Sequence, residues 1–318
     1  MTNIKHICTY FDFNFLPKGL ALYHSIKRQN SEFNFYVLAL DHNTYNYLIN
    51  LHYYDLIPIS FESYNEYFNL SPDKYLDRKQ YYFSVTPNIC LHIFKVFPGV
   101  DTLLYLDADV YVTNSLNPIY EEVGDASIAF CSHRFNPFYK FFTKNYGRYN
   151  VGVNFFRKSE IGLNCLLDWK SDCDGWFPGK PGYPLDFFSD QIFLDEWPKK
   201  YKDLKIIMNI GVNTAPWNIA NYKIEFKQDS YWVNDNPLII YHFSSLRKID
   251  INKWDCNTVP YFTSISGTLK KLYKDYITEI ESFGLRNDAV TKLTKKRNKI
   301  KMACRYLVNI FIKETIEI

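Results

Sequence analysis

The sequence lacks the features that mark disulfide-rich, zinc-binding and membrane-spanning proteins. Its seven cysteines are scattered and never form a CxxC pair, so we expect neither zinc sites nor a disulfide framework. No apolar run approaches the roughly 20 residues that a transmembrane helix needs. The first residues, NIKHICTYF, follow a strand pattern rather than the charged and then apolar pattern of a signal peptide. We therefore expect a cytoplasmic protein, either soluble or peripheral on the inner face of the membrane.

The charge balance is weak as well, because the 318 residues carry a formal net charge of only +3. This balance gives no argument for nucleic acid, and we expect none as a partner. The positive charge is concentrated, since eight basic residues and one acidic residue lie between Arg286 and Arg305. On a helix from Asp288 to Phe311, these residues would flank an apolar stripe, as in helices that lie on anionic membranes. The alternative is a helix that packs on the domain and exposes a basic face to solvent.

The first half of the chain alternates strand-like and helix-like segments. Strand patterns begin near Ile4, Phe33 and Leu103, and Pro17 opens a helical pattern that continues to about Gln29. This alternation predicts an α/β fold with a mainly parallel sheet covered by helices on both faces. After residue 250 the pattern becomes helical and basic. We therefore predict one domain over residues 1–250 and a C-terminal helical segment over residues 251–318. The predicted helix caps are Asp41 or Asn43, Ser159 and Ser189.

The segment LLYLDADVYVTNSL, from Leu103 to Leu116, places two aspartates directly after an apolar strand. Asp107 and Asp109 would reach the C-terminal edge of the sheet, where open α/β sheets bind their ligands. Two carboxylates at this edge suit a hard divalent cation that also carries substrate phosphates. In the simpler alternative, the aspartates only satisfy backbone amides in a turn at the end of the strand.

A late apolar strand, LIIYHF, contains His242 and is followed by Arg247 and Lys248. A histidine leaving a buried strand is usually structural. Here its imidazole nitrogen suits manganese as a third ligand beside two carboxylates. The two cations could then meet a diphosphate. Together with Asp107 and Asp109, these residues indicate a clamp for a metal ion and a diphosphate.

These residues resemble the motifs of bacterial glycosyltransferases with the GT-A fold. The pattern is similar to that of the retaining glycogenin-type and lipopolysaccharide galactosyltransferase group. In that group, an Asp-x-Asp motif and a late histidine hold manganese, and a lysine six residues after the histidine contacts the diphosphate. The resemblance implies a Rossmann-like GT-A fold. It also implies that Asp107, Asp109 and His242 hold Mn²⁺ or Mg²⁺ and that Lys248 lies at the diphosphate.

The resemblance covers most of residues 4–248 and implies roles for further side chains. It places the nucleoside at the end of the first strand and the transferred sugar beside YNVGV and SDQIF. The implied catalytic residues are Asp190, a general base if the reaction inverts, and Gln191, near the anomeric carbon. One position departs from the family, because Ser84 stands nearest to an arginine that helps hold the donor. The implied donor-binding residues are Thr9, Tyr10, Asp12, Asn14, Asp107, Asn150, Arg247 and Lys248.

Two segments have no clear counterpart in the characterised enzymes of that group, namely HRFNPFYK (residues 133–140) and NIGVNTAPWNI (residues 209–219). We predict that His133 and Arg134 contact an anionic acceptor. Trp176 and Trp217 would offer stacking surfaces on the acceptor side. The alternative for Trp217 is a core aromatic.

The sequence thus predicts a metal-dependent glycosyltransferase in surface-polysaccharide assembly. The donor is expected to be a nucleotide-diphosphate sugar, with UDP favoured over GDP. The acceptor is expected to be a glycan or a polyprenyl-linked molecule, and the resemblance implies a retaining reaction. One alternative is a nucleotidyltransferase that makes a nucleotide sugar, although CTYFDFNFLPKG lacks the Gly-rich phosphate loop. Another is a non-catalytic carbohydrate-binding protein, suggested by an aromatic content of 19%.

Overall fold

The computed structural model describes residues 4–68, 78–176, 190–285 and 315–317. The strands in these ranges are β1 Lys5–Phe11, β2 Phe33–Ala39, β3 Leu56–Ser60, β4 Thr102–Leu106, β5 Val110–Val112, β6 Ile128–Ser132, β7 Tyr149–Arg157, β8 Leu204–Ile207, β9 Ile224–Lys227, β10 Ser230–Val233, β11 Asn236–Pro237, β12 Ile240–His242, β13 Arg247–Asp250, β14 Lys253–Asp255 and β15 Thr315–Glu317. The α-helices are α1 Leu16–Gln29, α2 His42–Asn50, α3 Phe61–Phe68, α4 Arg78–Val96, α5 Asn117–Val123, α6 Thr143–Tyr146, α7 Glu160–Asp174, α8 Trp197–Lys200 and α9 Gly267–Ser282.

The chain forms two compact units, and each is discontinuous in sequence. The first unit consists of Met1–Leu16, Asn30–Ala108 and Leu116–Asn209. It contains a seven-stranded sheet in the order β3-β2-β1-β4-β7-β6-β8. In this sheet only β7 runs antiparallel to its neighbours, β4 and β6. This arrangement confirms the predicted mainly parallel sheet flanked by helices.

Side-chain caps fix the start of two helices in the first unit. Asp41 Oδ1 accepts a hydrogen bond from the backbone N–H of Thr44 at 2.7 Å, and its Oδ2 accepts one from Phe13 at 2.8 Å. The cap of α2 therefore also ties down the loop after β1. At α7, Ser159 Oγ accepts a hydrogen bond from the N–H of Gly162 at 3.1 Å. Both caps confirm the predictions made from the sequence, whereas the third predicted cap, Ser189, lies outside the described residues.

The second unit consists of Pro17–Gln29, Asp109–Ser115 and Ile210–Ile318. Strands β5 and β12 pair antiparallel, β9 to β11 form a meander, and β13, β14 and β15 form a third sheet. Helix α9 packs aromatic side chains against β12 and the turn that follows it. Tyr273 contacts the ring of Tyr241, with ring centroids 5.7 Å apart, and Tyr276 stacks on Phe243 at 4.0 Å. This aromatic core fixes the position of the chain on either side of His242.

Two segments of the first unit form short helices. Residues 133–148 contain a 3₁₀ helix at Pro137–Phe142 and the short helix α6. A second 3₁₀ helix covers Asp190–Glu196 and is followed by α8. The predicted helix at 288–311 lies outside the described residues, and the boundary near residue 250 stays a prediction. Within the described ranges, no helix is both long and apolar enough to cross a membrane.

Candidate active site

Asp107 is held at the end of the central strand β4. The preceding residues Leu103–Leu106 are buried, and the backbone N–H of Asp107 donates to the carbonyl of Gly152 at 3.0 Å. Pairing with β7 therefore continues one residue beyond β4. The phenol of Tyr105 donates to Asp107 Oδ1 at 2.8 Å, which fixes the orientation of the carboxylate.

Asp109 and His242 meet because β5 pairs with β12. In this register His242 lies opposite Val110, and the N–H of Phe243 donates to the carbonyl of Asp109 at 2.9 Å. His242 Nε2 lies 3.1 Å from Asp109 Oδ1, and the histidine side chain is only 5% exposed. Burial by itself would raise the pKa of Asp109, but the charge and hydrogen bond of His242 and the charge of Lys18 outweigh burial. The pKa of Asp109 is therefore lowered to about 2.

The chain brings three possible metal ligands together at this point. Asp107, Asp109 and His242 each offer one ligand atom, and these three atoms lie within 4.8 Å of one another. Carboxylate oxygens are the ligands that Mg²⁺ and Mn²⁺ prefer, and imidazole nitrogen is a common additional ligand for transition metals. The donor set therefore fits the divalent cation expected from the sequence.

Residues that were assigned separately to the donor, the chemistry and the acceptor form one hydrogen-bonded group. Asn150 Nδ2 donates to Gln191 Oε1 at 3.1 Å and lies 3.3 Å from His133 Nε2. Asn150 Oδ1 accepts from the N–H of Gly152 at 2.9 Å, which fixes the amide. The backbone N–H of Gly152 in YNVGV thus fixes the side chain of Asn150, two residues before it.

Asp190 lies at the start of the 3₁₀ helix and is only 1% exposed. Its Oδ1 has no hydrogen-bond partner among the described residues. Burial raises the pKa of Asp190 well above its usual range, and the negative charge of Asp107 raises it further. The backbone N–H groups of Asp190 and Gln191 oppose this shift and do not cancel it.

The residues expected at the nucleoside lie at the end of β1 and in the turn after it. Thr9 is buried, and the phenol of Tyr10 donates to the carbonyl of Tyr82 in α4 at 2.9 Å. In the turn, Asp12 Oδ1 accepts from the N–H of Phe15 at 3.2 Å, and Asn14 Nδ2 lies 3.4 Å from Asp12 Oδ2. The hydrogen bond of Tyr10 therefore connects β1 to α4, whereas the side chains of the turn lie at the surface.

Both cations expected at the diphosphate are engaged in ion pairs. Arg247 Nη2 lies 2.6 Å from Asp255 Oδ2, and Lys248 Nζ lies 2.7 Å from Glu281 Oε1. A third cation, Lys18 of α1, was missed in the sequence. Its ammonium donates to the carbonyl of Leu246 at 2.9 Å, and its charge acts on Asp109. The available signal was a single lysine in the otherwise apolar helix start LPKGLALY.

The position nearest to the family's donor-holding arginine is buried. Ser84 is fully buried in α4, and its hydroxyl donates to the carbonyl of Tyr81 at 2.8 Å. This short polar side chain bonds within its own helix and supplies no charge for a phosphate. A charged contact like that of the family's arginine is therefore not available at Ser84.

The four side chains expected at the acceptor are mostly buried. Trp176 and Trp217 are 8% and 5% exposed. His133 is buried and stacks on Phe135 with ring centroids 4.6 Å apart. Arg134 is half-buried and donates to the carbonyl of Asn209 at 3.1 Å. Their acceptor roles stay predictions.

Comparison with known proteins relates this architecture to other chains. No protein-family model matches the chain. The uncharacterized protein YfnD of Bacillus subtilis (strain 168) is 22% identical over 276 residues, which are 87% of this chain and 88% of YfnD.

Solved structures of glycosyltransferases share the fold. A galactosyltransferase, LgtC, solved in complex with donor and acceptor sugar analogs, superposes with a TM-score of 0.55 at 16% identity, over 93% of this chain and 99% of LgtC. The glycosyltransferase GlyE of Streptococcus pneumoniae TIGR4 gives a TM-score of 0.53 at 16% identity, over 89% of this chain and 63% of that one. The chain therefore has the GT-A glycosyltransferase fold, as its motifs predicted.

Proposed function

We propose that the protein is a metal-dependent glycosyltransferase that moves a sugar from a nucleotide-diphosphate donor to a glycan or lipid-linked acceptor. The observation that carries this proposal is the convergence of Asp107, Asp109 and His242 within 4.8 Å in a chain with the GT-A fold. The donor and acceptor sugar analogs bound to LgtC support the same two classes of substrate here. We propose UDP as the nucleotide and surface-polysaccharide assembly as the setting.

The three ligands would hold Mn²⁺ or Mg²⁺. When bound, the ion would act as a Lewis acid on the negative charge that develops on the departing nucleoside diphosphate. Because the pKa of Asp109 is lowered to about 2, this carboxylate is ionised at neutral pH and can bind a cation. Tyr105 holds the carboxylate of Asp107 at 2.8 Å and so limits the rotamers that must be ordered on binding.

The donor would be held from several elements. Asp12 and Asn14, in the turn after β1, are proposed to meet the nucleoside, with Thr9 and Tyr10 supporting the turn from β1. For the diphosphate we propose Lys18 as a contact in addition to Arg247 and Lys248. Lys18 is half-buried, its ammonium donates to the carbonyl of Leu246 shortly after His242, and its charge acts on Asp109.

We propose a retaining reaction, in which Asp190 and Gln191 orient the donor and the acceptor. The hydrogen bond from Asn150 orients the amide of Gln191 and supports its place beside the anomeric carbon. The raised pKa of Asp190 would also suit a proton-accepting role if the reaction inverts. Its buried and incompletely bonded carboxylate favours a role in binding polar groups of the sugar.

The acceptor is proposed to approach the same group of residues. His133 lies beside Asn150, and Arg134 follows it; this position supports the proposal that both contact an anionic acceptor. The stacking role of Trp176 and Trp217 stays a prediction. Both side chains are largely buried. The basic segment Arg286–Arg305 supports a peripheral position on the anionic inner face of the membrane, where a polyprenyl-linked acceptor would lie.

The proposal is tested by a panel of nucleotide sugars incubated with Mn²⁺, with Mg²⁺ or with excess chelator. We expect metal-dependent release of one nucleoside diphosphate. Asp109→Ala and His242→Ala should each lose on the order of 10- to 100-fold or more in metal affinity or activity. Asp235→Ala, at an exposed aspartate of the same unit, should be unaffected.

Two outcomes would contradict this function. Full activity in excess chelator would show that the reaction needs no metal. Release of pyrophosphate from a nucleoside triphosphate and a sugar phosphate would instead identify a nucleotidyltransferase, the competing enzyme class.

A further inference from the structure

We propose that the segment Asn209–Ile219 is the support of His242, and that Asn213 is a positioning residue that sets the tautomer of this histidine. The inference rests on the proposed metal site and assigns a role to NIGVNTAPWNI. The observation behind it is that Asn213 and Trp217 both contact the imidazole ring of His242.

The backbone of this segment lies along β12. The N–H groups of Ile239 and Ile240 both donate to the carbonyl of Gly211, at 2.8 and 2.9 Å. Thr214 then donates to the carbonyl of Ile240 at 3.1 Å and accepts from the N–H of His242 at 2.8 Å. Since β12 also pairs with β5, the strand that carries His242 is held along both edges.

The side chain of Asn213 contacts the ring nitrogen of His242 that does not face Asp109. His242 Nδ1 lies 3.2 Å from Asn213 Oδ1, and both residues are buried. An amide oxygen only accepts hydrogen bonds, so this contact places the proton on Nδ1. In the metal-free protein Nε2 lies 3.1 Å from Asp109 Oδ1 and donates to this ionised carboxylate, so a metal would replace the proton on Nε2 while Nδ1 keeps its own. Nε2 is the nitrogen that must be unprotonated to bind a metal.

The support is itself rigid. Asn213 has a φ of 58°, in the left-handed region that asparagine tolerates better than most residues. Asn218 holds this conformation, since its Nδ2 donates to the carbonyl of Asn213 at 3.1 Å and its Oδ1 accepts from the N–H of Ala215 at 2.9 Å. Trp217 packs edge-on against His242, with ring centroids 5.1 Å apart and an interplanar angle of 75°. The ring therefore has few alternative orientations.

The test uses two substitutions of Asn213 in the full-length protein. Asn213→Gly removes the amide without backbone strain, because glycine adopts positive φ readily. Asn213→Asp keeps an acceptor oxygen at the same place. The matched control is Asn257→Gly, at another asparagine with positive φ in the same unit, where φ is 52°.

The first readout is the Mn²⁺ dissociation constant, measured by titration calorimetry. We expect Asn213→Gly to bind Mn²⁺ about 10- to 100-fold more weakly, which is the usual effect of removing an outer-shell partner. Asn213→Asp should recover most of this loss, and the control should match the wild type.

The second readout is the tautomer of His242 in metal-free Asp109→Asn protein, in which no carboxylate competes for a proton on Nε2. It is measured by ¹⁵N NMR of the imidazoles at alkaline pH, with His242→Gln used for assignment. The proton should reside on Nδ1 in Asp109→Asn and redistribute toward Nε2 in the Asp109→Asn/Asn213→Gly double variant. A proton on Nε2 in Asp109→Asn would overturn the inference.

The two readouts separate this inference from the proposed function. If His242→Ala loses Mn²⁺ while Asn213→Gly retains wild-type affinity, the metal site stands and the role of Asn213 is refuted. If the wild type does not bind Mn²⁺, the proposed function fails, and the tautomer measurement still decides the role of Asn213. If Asn213→Gly fails to fold, the tautomer of His242 in Asp109→Asn decides the inference.

Discussion

Replacing Asp190 by asparagine should stabilise the free protein at neutral pH and at the same time lower its turnover. The wild-type carboxyl is 1% exposed, and its Oδ1 has no hydrogen-bond partner among the described residues. Burial raises its pKa well above the usual range, and the charge of Asp107 raises it further. Asparagine has nearly the same shape and carries no charge, so it removes the electrostatic cost of burial.

The expected gain follows from the cost of burying an unsatisfied polar group, which is about 1–3 kcal/mol and larger for a charged group. We expect the free energy of unfolding to rise by about 1–3 kcal/mol at neutral pH. Because the pKa of Asp190 is raised in the folded state, its protonated carboxyl favours the folded wild type. This contribution to the free energy of unfolding is fully present below the unfolded pKa of 3.8 and is lost as pH rises through the folded pKa. The advantage of Asp190→Asn should therefore be absent in acid and grow toward neutral pH.

The assay is urea unfolding of the full-length wild type and variant at several pH values, followed by tryptophan fluorescence. The control is Asp203→Asn, because Asp203 Oδ2 accepts hydrogen bonds from both the N–H and the hydroxyl of Ser127. The amide oxygen of asparagine still accepts, but loss of the negative charge weakens these charge-assisted bonds and should destabilise the control. In kinetic assays, Asp190→Asn should lower turnover far more than donor affinity, since its proposed role is at the transferred sugar.

Two results would refute this reasoning. An unchanged or lower free energy of unfolding at neutral pH would mean that the carboxyl of Asp190 is not destabilising in the free protein. A variant that loses donor affinity but keeps its turnover at saturation would place Asp190 in uniform substrate binding.

Two further predictions concern charged side chains. Lys18→Met should weaken the binding of nucleoside diphosphate in the presence of Mn²⁺, measured by calorimetry, more than Lys248→Met does, because Lys248 already pairs with Glu281; a larger loss for Lys248→Met would contradict this. Replacing the lysines between residues 292 and 299 by glutamine should reduce co-sedimentation with anionic vesicles but not with neutral ones, since each basic residue contributes about 1 kcal/mol. The full-length chain is required, because β15 pairs with β14; unchanged sedimentation would mean that these lysines do not bind the membrane.

Sequence patterns that extend over only a few residues were sufficient to predict much of the fold. Apolar runs with intervening helix patterns predicted a mainly parallel sheet because strand and helix periodicity are expressed within a few residues. The caps Asp41 and Ser159 were predicted for the same reason, since each bonds to an N–H three residues ahead. The placement of Asp107 and Asp109 at the end of a strand needed only the strand boundary.

The partners of these residues depended on pairing over long distances in the chain. The meeting of Asp109 and His242 requires the register of β5 against β12, and Asn213 reaches the same ring only because its segment lies along β12. The ion pairs of Arg247 and Lys248 likewise depend on which carboxylates the second unit places beside them.

Burial was equally a property of the tertiary structure. Trp176 is of a residue type that can stack on sugars, and it packs in the core of the first unit together with Trp169 and Trp197. An aromatic residue has the same side chain in a core and at a sugar site, so only its neighbours distinguish the two. The sequence thus determined the elements and the kinds of ligand, whereas strand register and packing decided which side chains meet and which of them are covered.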